Sequence, residues 1–160
     1  MRKKILTFIS AAALILATVI CFLAVQKISK STVKQPLPEI SIYVASDLHY
    51  IAPELTDNGT YFMNMVRNAD GKAMQYSEEI TDSFVEQVLQ KKPNLVLLSG
   101  DLTFNGAKAS HEALAKKLRK IESAGIPVLV IPGNHDLYDP MAASFQGNSY
   151  ALVPSISAEE

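Results

Sequence analysis

The apolar positions of this chain fall into two regimes. From Ile5 to Val25 no residue is charged, and Gln26 and Lys27 end the run. Further on, short apolar runs alternate with helical periodicity. Ile40–Ala45 is rich in β-branched and aromatic residues and closes at Ser46-Asp47, which predicts a strand. Residues 51–75 follow no regular pattern and carry turn signals at Asn58-Gly59 and Asp70-Gly71; within them Tyr61–Val66 predicts a short apolar helix or a lid. Ser77 offers an N-cap, Glu78 and Glu79 suit the first-turn dipole, and Ile80, Phe84, Val85, Val88 and Leu89 recur at helical spacing before Pro93. Leu95–Leu98 reads as a buried strand. A second helix is predicted from about Ser110 to Ser123 on Ala113, Leu114, Leu118 and Ile121, with Gly125 as its stop. Pro127–Ile131 is a third apolar run, and 151–160 shows no closing strand.

Strand, helix, strand, helix, strand, with two strands apolar on both faces, predicts an α/β fold whose parallel sheet is covered by helices. Right-handed crossovers bring the carboxyl ends of all three strands to one edge. In such sheets ligands bind beyond those ends.

The first regime has the dimensions of a membrane span. Twenty-one uncharged residues at a helical rise cover roughly 30 Å, the thickness of a bilayer's hydrocarbon core. Residues 1–4 then form a cytoplasmic stub, 5–25 a signal anchor, 26–39 a Pro-containing tether, and 40–160 an extracytoplasmic domain, because the cations Arg2, Lys3 and Lys4 stay inside. The alternative is a cleaved signal peptide and a secreted domain, although Phe22-Leu23-Ala24 lacks the small-x-small cleavage pattern. A lipoprotein signal at Cys21 lacks the small residue before the cysteine, and Cys21 reads best as a small apolar residue.

Composition sharpens this division. The first 30 residues hold five cations and no acid, which leaves ten cations against sixteen acids beyond them, a net −6. No basic nucleic-acid-binding patch is expected on such a domain. A single cysteine excludes an internal disulfide and a multi-cysteine zinc site. No residue pattern specifies an oligomeric state.

The chemistry gathers at the strand ends. Asp47-Leu48-His49 follows the first strand, Gly100-Asp101 the second, and Gly133-Asn134-His135-Asp136 the third. Carboxylate and amide oxygens with imidazole nitrogens form a donor set for first-row divalent metals. Gly100 and Gly133 permit close backbone approach or act as ordinary turn punctuation. No GxxxxGK[ST] or GxGxxG is present, which disfavours a nucleotide-binding protein of those classes.

These three blocks in order, each after a predicted strand, resemble the calcineurin-like metallophosphoesterases over about Ile40 to Tyr138. The resemblance implies the N-terminal part of a four-layer α/β/β/α fold, a centre of two divalent metals and hydrolysis of phosphate mono- or diesters; the oxygen and nitrogen donors accept Mn, Fe, Zn, Co or Mg, and the extracytoplasmic placement favours small-molecule or envelope esters. By that resemblance Asp47 and His49 bind the first metal, Asp101 bridges both and Asn134 binds the second. His135 acts on the transferring phosphoryl group or the leaving oxygen, and Asp136 orients His135. Some relatives use an acidic residue three beyond the bridging aspartate for that orientation; here the position is Phe104. The family's later histidine blocks have no counterpart, and the third histidine, His111, is expected as a plain surface residue. The domain is therefore expected to be C-terminally incomplete and this chain weakly active or inactive alone. The other reading of that shortfall is a non-catalytic, membrane-anchored binding module.

Overall fold

The computed structural model describes residues 16–27, 37–69, 72–137 and 139–159. The chain divides into two compact units, Met1–Glu39 and Ile40–Glu160. In the first, residues 16–27 are helical (α1) and Cys21 is exposed. Residues 1–15 and 28–36, which hold the stub, most of the expected anchor and much of the tether, lie outside the described residues. Among those described, no helix is long and apolar enough to cross a membrane.

The second unit is α/β. Three strands, β1 (Ile42–Ala45), β2 (Leu95–Ser99) and β3 (Val128–Ile131), form a parallel sheet in the order β1-β2-β3. The register sets Val44 beside Leu97 and Leu97 beside Leu129. Between β1 and β2 lie α2 (Thr60–Arg67) and α3 (Ser77–Lys91); α4 (Lys108–Ser123) joins β2 to β3. Val96 and Leu98 of the central strand have no exposure and share one core with Val85, Val88, Leu114 and Ile121. The opposite side of the sheet is open: Ile42, Val44, Leu129 and Ile131 are each more than half exposed.

The predicted helices form, with two local corrections. Ser77 is the first helical residue rather than the cap; it is buried, and its Oγ accepts the Ile51 N–H at 3.3 Å. α4 starts two residues before Ser110, whose Oγ accepts the Ala52 N–H at 3.1 Å. Both serines thus hold the segment that follows β1, satisfying backbone groups that burial would otherwise orphan. Gly125 stops α4 as expected, at φ +81° with its N–H on the Glu122 carbonyl. Tyr61–Val66 falls within α2, which buries Phe62 and Val66; the turn at Asp70-Gly71 lies outside the described residues.

An antiparallel hairpin, β4 (Ala143–Gln146) and β5 (Ser149–Leu152), was not predicted. It packs Phe145 against Tyr61, Phe62 and Phe104. The Asp57 carboxylate ties hairpin to helix by accepting the Gly147 N–H at 2.8 Å and the Gly59 N–H at 2.7 Å. Those two bonds, Gly147 first, hold its pKa below the ordinary 3.8. A depressed folded-state pKa means that the tie stabilises above the unfolded value and is lost as pH falls through the lowered one. An NMR titration of the Gly59 and Gly147 amides is expected to show a common midpoint below 3.8. A midpoint at or above that value would remove the tie from the account.

Candidate metal centre

The loops after β1 and β2 run side by side as a continuation of the sheet. Asp47 N–H donates to the Gly100 carbonyl at 3.1 Å, His49 N–H to Asp101 at 3.0 Å and Tyr50 N–H to Leu102 at 3.0 Å. This pairing holds three non-glycine residues in the left-handed region, Asp47 at φ +55°, His49 at +41° and Asp101 at +47°. Such backbones cost of order 1–3 kcal/mol each and persist only where the surroundings impose them. All three are candidate ligands.

The loop after β3 meets the loop after β2 through two glycines. Gly100 is at φ +89°, and a Cβ on it would lie 3.3 Å from the Gly133 Cα. A Cβ on Gly133 would stand 2.3 Å from both the Asp101 N and its Oδ1, inside contact distance. Here the missing side chains allow loop-to-loop contact, so the close-approach reading of these glycines holds.

His49, Asp101 and His135 offer ligand atoms that all lie within 4.8 Å of one another. The two imidazoles meet edge to face with centroids 4.9 Å apart. Asp101 Oδ2 is 3.9 Å from His49 Nε2, and Asp47 Oδ1, on a side chain 66% exposed, is 3.7 Å from the same nitrogen. Asn134 stands exposed between Gly133 and His135. His135 stands beside His49 and Asp101, within reach of the same ion.

His49 carries the strongest signal. It is buried, yet neither ring nitrogen has a hydrogen-bond partner. Burial, with Lys72 and His135 nearby, pushes its pKa below 6.5, against the opposing pull of Asp101 and Asp47. A neutral imidazole with unused lone-pair capacity beside a carboxylate and a second imidazole fits a divalent cation. A cavity of about 390 Å³ opens beside Asp47 and His49, with Lys72 on its wall.

Asp136 does something other than orient His135. It is wholly buried, and its carboxylate accepts Leu102 N–H (3.0 Å), Thr103 N–H (2.8 Å), Thr103 Oγ–H (3.0 Å) and Gly133 N–H (2.7 Å). It stitches the second loop to the third. His135 Nδ1 instead donates to the Phe104 carbonyl at 2.9 Å, which leaves Nε2 with the lone pair in the neutral ring. The orienting partner therefore comes from residue 104 after all, as a backbone oxygen that no side-chain motif can announce.

The surface role expected for His111 is also corrected. Its ring is half-buried, and Nε2 donates to the Asp136 carbonyl at 2.9 Å, with Thr103 Oγ1 at 3.3 Å. Sequence reasoning missed it because one histidine in a charged helix carries no periodic signal.

The family model described as calcineurin-like phosphoesterase matches residues 40–158. A probable cyclic nucleotide phosphodiesterase of Vesicomyosocius okutanii is 38% identical over 58 residues, 36% of this chain and 24% of that protein. One of Synechococcus is 47% identical over 47 residues, covering 29% of this chain and 17% of its own length. A probable glycerophosphodiester phosphodiesterase of Arcobacter nitrofigilis is 33% identical over 58 residues, covering 36% and 20%. The chain thus matches about a quarter or less of the length of these relatives. A dimetal phosphatase structure from Danio rerio aligns with a TM-score of 0.42 at 19% identity, over 62% of this chain and 31% of that one.

Proposed function

The chain belongs to the calcineurin-like phosphoesterase family, and on that premise we propose that it forms part of a metal-dependent hydrolase of phosphate mono- or diesters. The observation that carries this reading is the buried, unpartnered His49 facing Asp101 and His135. Asp47 and His49 would hold one divalent ion, Asp101 would bridge to a second, and Asn134 would supply that ion a neutral oxygen. Such a pair supplies charge stabilisation and a nucleophile at neutral pH.

The chain's own residues prepare the rest. The Phe104 carbonyl fixes the His135 ring so that Nε2 faces away from its anchor, free in the neutral ring to ligate or to accept a proton, and able to hand one to the departing oxygen only once protonated. Lys72 lends a cation to the adjoining cavity, which suits an anionic ester. The open apolar side of the sheet supports the four-layer arrangement, in which a second sheet covers it. The apolar run 5–25 supports placement outside the cytoplasm, tethered by an anchor or released after cleavage. The non-catalytic binding module is the second reading. It is favoured by His111, whose ring is already engaged by the loop and adds no ligand.

Calorimetric titration with Mn²⁺ and turnover of a chromogenic phosphodiester test both. Mn²⁺ affinity is expected to fall by about 100-fold or more in Asp101→Ala, since even outer-shell partners are worth 10–100-fold. Turnover that survives Asp101→Ala and Asn134→Ala unchanged sinks the hydrolase. Tight, Asp101-dependent binding of two ions excludes a metal-free binding module even where this chain alone turns over no ester, and absence of ion binding supports that module.

A further inference from the structure

Tyr50, the residue after His49, is 1% exposed and takes no part in the candidate chemistry. Its phenol donates to Glu78 Oε2 at 2.5 Å, in the first turn of α3. Glu78 Oε1 accepts from the Lys117 ammonium of α4 at 2.7 Å, and Asp82 Oδ1 accepts from the same ammonium at 2.5 Å. Lys117 is itself buried and stands 5.8 Å from the centre of the Tyr50 ring. Two helices thus grip one side chain next to a candidate ligand. We propose that Tyr50 is a positioning residue for the metal group, setting the His49 ring through the peptide they share and the His135 ring through Phe104. This rests on the metal reading of His49, Asp101 and His135.

The backbone of Tyr50 connects to both imidazoles. Its N–H donates to the Leu102 carbonyl and its carbonyl accepts the Phe104 N–H, each at 3.0 Å. The Phe104 carbonyl in turn accepts from His135 Nδ1 at 2.9 Å, so a shift of the Tyr50 peptide reaches that ring through Phe104 alone. On the other side His49 holds φ +41°, a strained backbone that persists only where its surroundings impose it. Relaxing that strain would drag the Tyr50 ring off Glu78. Stability alone does not account for the cluster. Desolvation of a buried ammonium offsets much of its attraction to carboxylates, and a phenylalanine would fill the place of the ring with no hydroxyl to satisfy. Ligands, by contrast, must be held to within about 0.5 Å, which a locked neighbour supplies.

The test uses the full 160-residue chain, with Mn²⁺ titrated by calorimetry. Tyr50→Phe keeps the ring and deletes the tie. It is expected to lower Mn²⁺ affinity by about tenfold, as for other groups that stand behind metal ligands. Its melting temperature should fall by about 5 °C or less. Val88→Ala, which opens a cavity in the same core, is the control: it should lower the melting temperature further yet leave affinity within about twofold of the wild type. The double variant Tyr50→Phe with Glu78→Ala should lose no more affinity than Glu78→Ala alone, since both delete one bond. Unchanged affinity in Tyr50→Phe, additive losses in the double variant, or a loss in Val88→Ala that scales with its melting temperature overturns the positioning role. If the wild type binds no Mn²⁺ the metal reading fails separately, and the metal-free chain still decides. There the His49 and His135 ring resonances are expected to shift in Tyr50→Phe while those of His111 stay. Unmoved His49 and His135 resonances overturn the proposal.

Discussion

Asp136→Ala is expected to lower stability by about 3–5 kcal/mol, since hydrogen bonds to a charged group contribute about 1.5–3 kcal/mol each and are not additive. The substitution leaves three backbone N–H groups and the Thr103 hydroxyl without their acceptor, in a place with no exposure. Each orphaned group costs about 1–3 kcal/mol, less whatever water or rearrangement restores. For a unit of this size the melting temperature should drop by about 10–20 °C. Asp136→Asn should recover only part, because its amide must turn one NH₂ toward the N–H donors of Leu102 and Gly133 or of Thr103. Thermal denaturation followed by circular dichroism measures both. A drop of only 2 or 3 °C in Asp136→Ala would mean that the loops hold without the clamp.

Gly133→Ala should be milder for the fold and worse for the site. The added methyl would collide with the backbone nitrogen of Asp101, which cannot swing aside, and with its carboxylate, which the His135 N–H holds at 3.2 Å. Relief by parting the two loops costs about 1–3 kcal/mol, as in other overpacked sites. Either way Asp101 leaves the position that it shares with His49 and His135, and Mn²⁺ affinity is expected to fall by about 100-fold. Calorimetry decides; affinity within twofold of the wild type would show that the glycine contact does not set the carboxylate. Gly100→Ala is the control, since it strains a positive φ but points its methyl at Gly133 rather than at a ligand.

The parallel sheet was legible because its strands are continuous apolar runs, and the ligand candidates because each sits just past one of them. The hairpin escaped notice although Gly147-Asn148 is a two-residue turn signal, with Gly147 at φ +55° in the first loop position. Its strands carry only Phe145, Tyr150 and Leu152 as large apolar residues, too few to announce a period of two. The roles of Asp136 and Phe104 were not legible at all. Adjacency in sequence suggested that Asp136 serves His135, but the turn sends its carboxylate inward to four donors. The acceptor that does serve His135 is a peptide oxygen, which every residue possesses.

The left-handed conformations at Asp47, His49 and Asp101 set this site against ordinary thermal optimisation. Glycine would relax the backbone at each of the three, so selection for heat resistance alone would favour it there, and each such change would delete a donor atom. Screening libraries of this chain for solubility or melting point would therefore enrich sequences that have lost the function being sought. A ligand-coupled selection is the safer route.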